Sequence, residues 1–213
     1  MPGRRYRMER RAEAAKETRQ RIVQACFDLH GEQGIAATTM TQIAQRAGVS
    51  VGTVYHHFPR YEDAVAACGA YTHARIPPPS SDIFDGIEDL DGRVAVLVGA
   101  LFDYFDRLEI FQQVRAERHR FDPVEDFAAR EAELRLRLTQ EALSPFGITR
   151  RQQRVCAALI DVAVHDQLRA AGFSTGKAAQ EVARLICAGL QPRHPEKSPR
   201  AQSAPHTVKD QTR

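Results

Sequence analysis

The sequence predicts an all-α fold, on three observations. Apolar residues recur at helical spacing through nearly every ordered stretch, several of those stretches open on a recognisable cap, and no segment reads as a strand. The 213 residues suit one or two small domains. The run Pro77-Pro78-Pro79-Ser80-Ser81 cannot be helical and is a linker or long loop.

Ile22, Ala25, Cys26 and Leu29 form one apolar stripe on a helix from about Glu13 to Gln33, with Gly34 as its stop. Thr39-Met40-Thr41-Gln42 is a capping box, in which a hydroxyl and an amide three residues on satisfy each other's backbone N–H groups. A short helix therefore runs from Met40 to about Ala47 and buries Ile43, Ala44 and Ala47 before Gly48 ends it. Ser50 caps a third helix from Val51 to about His57, Pro59 interrupts, and a fourth follows over about Arg60 to His73.

Beyond the proline run, Leu90, Val94, Leu97, Leu101, Phe105 and Leu108 mark a helix apolar on most faces, hence central to the second domain. A shorter piece spans Phe111 to His119. Asp122-Pro123-Val124-Glu125 reads as an acidic cap, a proline at the first turn and a glutamate after it, opening a helix that stops before Ser144-Pro145. Thr149-Arg150-Arg151-Gln152 is another capping box, with Val155, Leu159, Val162 and Ala163 on one stripe and Gly172 past the end. Ser174 begins the last helix, which carries Val182, Leu185, Ile186 and Gly189 and closes at Pro192. From Gln191 onward the composition predicts a disordered tail.

Charge is polarised although the net formal charge is only +3. Eight bases against three acids fall in the first 21 residues, while the middle of the chain is mildly acidic. A basic end on an acidic body points to a polyanion engaged from that end, or to a solvated tail. No apolar run approaches the ~20 residues that span a bilayer, and no secretory leader is legible, so cytoplasm is the expected compartment. Cys26, Cys68, Cys156 and Cys187 form no CxxC pair and sit among apolar neighbours, which predicts small buried hydrophobes rather than metal or disulfide partners.

Two short helices joined by Gly48-Val49-Ser50 have the form of a helix-turn-helix: a residue tolerating positive φ, an apolar residue under both helices, then a cap. In that motif the second helix enters the DNA major groove by its N-terminal end. On the turn alone, a helical hairpin of some unrelated bundle is nearly as good a reading. The run from Thr39 to Phe58, with Arg21-Ile22, Ala25, Phe27 and Gly34 before it, closely resembles the N-terminal signature of the TetR (tetracycline-repressor) family of bacterial transcription regulators.

The chain is thus expected to divide into a basic disordered arm over residues 1–14, a helix-turn-helix DNA-binding domain over 15–60, a helical regulatory and dimerisation domain over 61–190 and a disordered tail over 191–213. The resemblance assigns phosphate contacts to Thr39, Tyr55 and His56, groove contacts to Ser50, Val51, Gly52 and Thr53, and a base or phosphate contact to Thr41; Phe58 belongs to the core. Three positions depart from the family pattern: Tyr61 stands where lysine is usual, Arg60 where a small cap is usual, and Ala64 where leucine is usual. Loss of that lysine removes a phosphate contact, which Arg60, the Tyr61 hydroxyl or the basic arm would have to replace. The family pattern also implies a homodimer through the last two long helices, a palindromic operator on double-stranded DNA, repression as the output, and a small-molecule effector whose identity the sequence does not carry.

Phe102, Phe105, Phe111, His119 and Phe127 are the expected cavity residues; Arg115, Arg118, His119 and Arg120 could orient an acidic group there, although a solvated charged face is the better reading. Asp161 and His165 read as a local pair. No catalytic residue, metal ligand or cofactor is expected: HExxH, GxSxG, P-loop and GxGxxG signatures are missing, and no helical histidine has a glutamate three residues before it. The competing readings are a metal-sensing regulator using Cys68, His73, His119 or His165, a helical metal-binding enzyme, and a helical adaptor that does not bind DNA.

Overall fold

The computed structural model describes residues 2–108 and 111–190; the tail expected over 191–213 lies outside the described residues. Among the described residues ten α-helices follow one another: α1 (Pro2–Gln33), α2 (Met40–Ala47), α3 (Val51–His57), α4 (Tyr61–Arg75), α5 (Leu90–Arg107), α6 (Gln112–Ala116), α7 (Asp122–Leu143), α8 (Arg150–Leu159), α9 (Val162–Ala170) and α10 (Thr175–Leu190). No strand occurs among the described residues.

The apolar stripe of α1 packs on α2 and α4 to build the head, burying Ile22, Cys26, Ile43, Val54 and Phe58. The body is built on α5, whose Leu97, Leu101, Phe102 and Tyr104 are buried, with α10 along one side and α7 along another. Head and body share one core: the ring of Phe27 on α1 meets Tyr71 of α4 at 5.3 Å and Phe111 at 5.0 Å, both edge-on.

Three boundaries differ from the sequence expectation. The disordered arm over residues 1–14 is helix from Pro2 onward. Its Ala, Glu, Arg and Lys residues are strong helix formers, and adding turns to a helix already nucleated on the core costs little. Asp122 is not a cap but the first residue of α7, with Phe121 in the extended cap position; its carboxylate and that of Glu125 still face the positive helix end.

The helix expected to run from Thr149 to Ala171 breaks into α8 and α9 at Ile160-Asp161. There the Asp161 carboxylate accepts from Ala163 N at 2.9 Å and pairs with Arg135 of α7 at 2.8 Å, which offers the backbone a better partner than a continued helix. Asp161 is thereby committed elsewhere, and His165 lies 3.1 Å from Asp166 instead, so the expected Asp161–His165 pair does not form.

The turn between α2 and α3 depends on Gly48 at φ +65°, whose N–H reaches the carbonyls of Ala44 and Gln45. A Cβ there would meet only Arg21 Nη1, 3.9 Å away, so the cost of substitution is backbone strain alone. Gly48→Ala should lower unfolding stability by about 1–2 kcal/mol, the cost of a left-handed L-residue, with the loss read by urea denaturation.

Candidate nucleic-acid interface and the adjoining cavity

Both short helices of the head are capped as their sequences require. Gln42 N donates to Thr39 Oγ1 at 3.3 Å while Thr39 N donates to Gln42 Oε1 at 2.9 Å, the reciprocal capping box. Thr53 N donates to Ser50 Oγ at 3.1 Å, and the two hydroxyls lie 2.8 Å apart. Arg21 of α1 closes the other end of α2 by donating to Ala47 O at 3.1 Å, and Arg46 holds Glu32 through two bonds of 2.9 and 2.8 Å. Phe58 is buried under the guanidinium of Arg19, 4.9 Å from its ring centre.

These supports leave one face open. Thr39, Thr41, Ser50, Gly52 and His56 are exposed, Tyr55 is 50% exposed, and Val51 and Thr53 are half-buried. Gly52 is informative. A Cβ there would meet nothing closer than Ser50 Oγ at 3.8 Å, so no internal contact requires glycine. A residue kept small on an exposed face suits the close approach of something outside the chain. His57 is partly buried, and its pKa is pushed below the usual histidine value by that burial and by the neighbouring His56 and Arg19 charges.

Tyr61 is not a phosphate ligand. Its hydroxyl donates to Ile35 O at 2.7 Å and lies 3.0 Å from His30 Nε2, inside the joint between head and body, and burial pushes its pKa up. Arg60 remains exposed, paired with Asp63 at 2.9 Å. Cys26 and Cys68 meet beside the same histidine. The hydrogen bond from Cys26, with His30 next to it, holds the Cys68 thiol down at about 6, while that pairing and burial push Cys26 up.

A cavity of about 460 Å³ opens between α4, α5, α6, α7 and the start of α9. Phe105, Phe111 and Phe127 line it as expected, with Val65, Leu108 and Val124. Phe102 does not line it: it is fully buried against the ring of His165. Neither does His119, which is exposed and pairs with Glu125 at 3.3 Å. Arg115 and Arg118 both border the cavity rather than forming only a solvated face, and Arg115 pairs with Asp166 at 3.0 Å. The polar wall that sequence reasoning missed includes Arg135 paired with Asp161, far apart in the chain, and Glu131, whose partner His73 lies outside the lining; helical periodicity gives no signal for either pair.

Residues 22–68 match the family model for bacterial regulatory proteins of the tetR family. The head is a tetR-family domain. Over 47 residues the chain is 51% identical to the HTH-type transcriptional regulator TtgW of Pseudomonas putida, covering 22% of this chain and 35% of that one. Curated relatives are thus matched over only part of their own length, 22% for SrpR of Pseudomonas putida. The multidrug binding protein EbrR, solved with imidazole, superposes with a TM-score of 0.61 at 21% identity, covering 80% of this chain and 93% of that one. This likeness shows that the chain, body included, shares the fold of that protein. Among the described residues, no helix is long and apolar enough to cross a membrane.

Besides the shared apolar core, one carboxylate ties the head to the body. Glu117, just after α6, accepts from Ile35 N and Ala36 N, both at 2.9 Å, in the loop before α2. Glu117→Ala should cost about 1–3 kcal/mol by stranding those donors, with Glu117→Gln costing less, as measured by chemical denaturation.

Proposed function

We propose that the chain is a ligand-responsive transcriptional regulator that binds a palindromic operator as a homodimer. The observation that carries this reading is the open face of the head: hydroxyls, a ring and a glycine with no internal purpose at the start of α3, backed by a rigid core. Thr39, Tyr55 and His56 would bind phosphates; Ser50, Val51, Gly52 and Thr53 would face bases in the major groove, with Thr41 beside them.

A single α3 covers too few base pairs for useful specificity, so a two-fold pair of heads is required. The outer faces of α8 and α10 supply the interface. Val155 is 55% and Leu185 56% exposed, with Leu159 and Gly189 beside them, whereas Val182 and Ile186 are spent on the chain's own core. Two such pairs close a four-helix bundle.

The cavity suits an organic effector with an apolar, partly aromatic body and a polar end. Arg135 there has a buried Nε without a partner, a donor free for a ligand. Repression is the output we favour, as NalD of Pseudomonas aeruginosa, of the same fold, is a secondary repressor of a multidrug efflux pump. Such a protein acts where the chromosome is, in the bacterial cytoplasm, as a regulator rather than an enzyme.

Selection of bound fragments from random DNA should return an inverted repeat. Tyr55→Phe and His56→Ala should each weaken binding to every sequence by roughly five-fold, the worth of one hydrogen bond. Thr53→Ala should also change base preference at one position of each half-site, by about ten-fold. Gel retardation across a salt series reads both effects; affinities equal to wild type for all three would remove the surface from the interface.

A further inference from the structure

The joint between α1 and α4 holds a second group of chemistry-bearing side chains. Cys26 and His30 lie one helical turn apart on α1 and so share a face, and Cys68 comes from α4. The donor atoms of the three residues lie within 4.8 Å of one another, and all three side chains are buried. Cys26 Sγ is 3.8 Å from His30 Nδ1 and 3.5 Å from Nε2.

Hydrogen bonding fixes the imidazole. Tyr61 spends its only proton on Ile35 O, so at its 3.0 Å contact with His30 it must accept, and Nε2 carries the hydrogen. Nδ1 is left with its lone pair beside the thiol of Cys26. Metal-ligating histidines are held in this way, the second ring nitrogen donating to a fixed acceptor that sets tautomer and orientation.

We propose that Cys26, Cys68 and His30 form a binding site for a thiophilic d10 cation, zinc above all. Two sulfurs and one imidazole nitrogen are a soft donor set that discriminates against magnesium and calcium. Bonds of about 2.3 Å to sulfur and 2.0–2.1 Å to nitrogen demand ligand atoms roughly 3.5–4 Å apart, a small contraction of the group as it stands. On binding, both thiols release their protons to solvent and the two thiolates neutralise a divalent ion, which makes its burial tolerable; a monovalent ion would leave a net negative charge in the core.

Access and a fourth ligand come from the cavity, whose wall includes His30 and Cys68. The bound ion would clamp α1, the spine of the head, to α4.

The test uses the full-length, reduced protein and cobalt as a spectroscopic substitute. The expected result is one cobalt ion per chain, thiolate-to-metal charge-transfer absorption, intense tetrahedral ligand-field bands, and displacement by zinc. Cys26→Ser and Cys68→Ser each abolish the charge-transfer signal, Cys187→Ser leaves it intact, and Tyr61→Phe weakens affinity about 10–100-fold through loss of the imidazole's acceptor. Independently of any variant, zinc should slow alkylation of Cys26 and Cys68 at least ten-fold in the wild type, read by mass spectrometry, without changing that of Cys187. Failure of the wild type to bind cobalt or zinc stoichiometrically, or protection that falls equally on Cys187, would overturn the site.

Discussion

Continuity of packing through α1 is the constraint on which the other features depend. One side of this helix builds the head, through Ile22, Cys26 and Leu29, and Phe27 reaches into the body between Tyr71 and Phe111. The head therefore has no core of its own that could move as a separate ball on a tether. Close-packed interiors resist small continuous deformation, so a displacement of α4 or α6 is passed to α1 as a change of position. Glu117 adds a polar latch to the same joint, where its carboxylate takes two backbone donors that the loop before α2 would otherwise present unpaired.

The cavity is placed to exploit this continuity. Its walls are supplied by α4, α5, α6, α7 and α9 together with His30 of α1 and Ile35 of the loop before α2, so the head itself forms part of the lining. Under the proposed function, a ligand that fits there would change DNA affinity only to the extent that it prefers one spacing of those walls over another. Ion pairs at Arg115–Asp166 and Arg135–Asp161 cross between helices along this wall, so a ligand competing for either arginine alters the relative position of α6 or α7 and α9. That is a differential contact of the kind coupling needs.

The head was legible in the sequence because its determinants are local. The capping boxes, Gly48 and Ser50 lie within a few residues of the groups they satisfy, and their spacing is the geometry itself. The body was legible as helices but not as a site. Nothing within a few residues of Asp161 announces Arg135, and it is this partner, 26 residues away, that helps to break the helix expected to continue past Leu159. Phe102 illustrates the complementary error: it shares a helix with Phe105, yet periodicity alone does not say which of two buried faces looks into a cavity and which into solid core. Tyr61, read as a possible substitute for a lysine at the DNA, is turned inward because His30 and Ile35 O offer its hydroxyl partners in a place where water is scarce.

Those inward partners give Tyr61 a different meaning. A lysine at that position would have to carry its charge out to solvent, since a buried ammonium without a counter-ion is costly. Tyrosine stays uncharged, fills the joint and orients an imidazole, so one substitution exchanges a phosphate contact for an internal hydrogen-bond chain from His30 to the backbone of the loop before α2. Arg60, next in the chain and exposed, keeps a positive charge near the position the lysine would have occupied. The exchange gives the joint between α1 and α4 polar chemistry that neither helix contains alone.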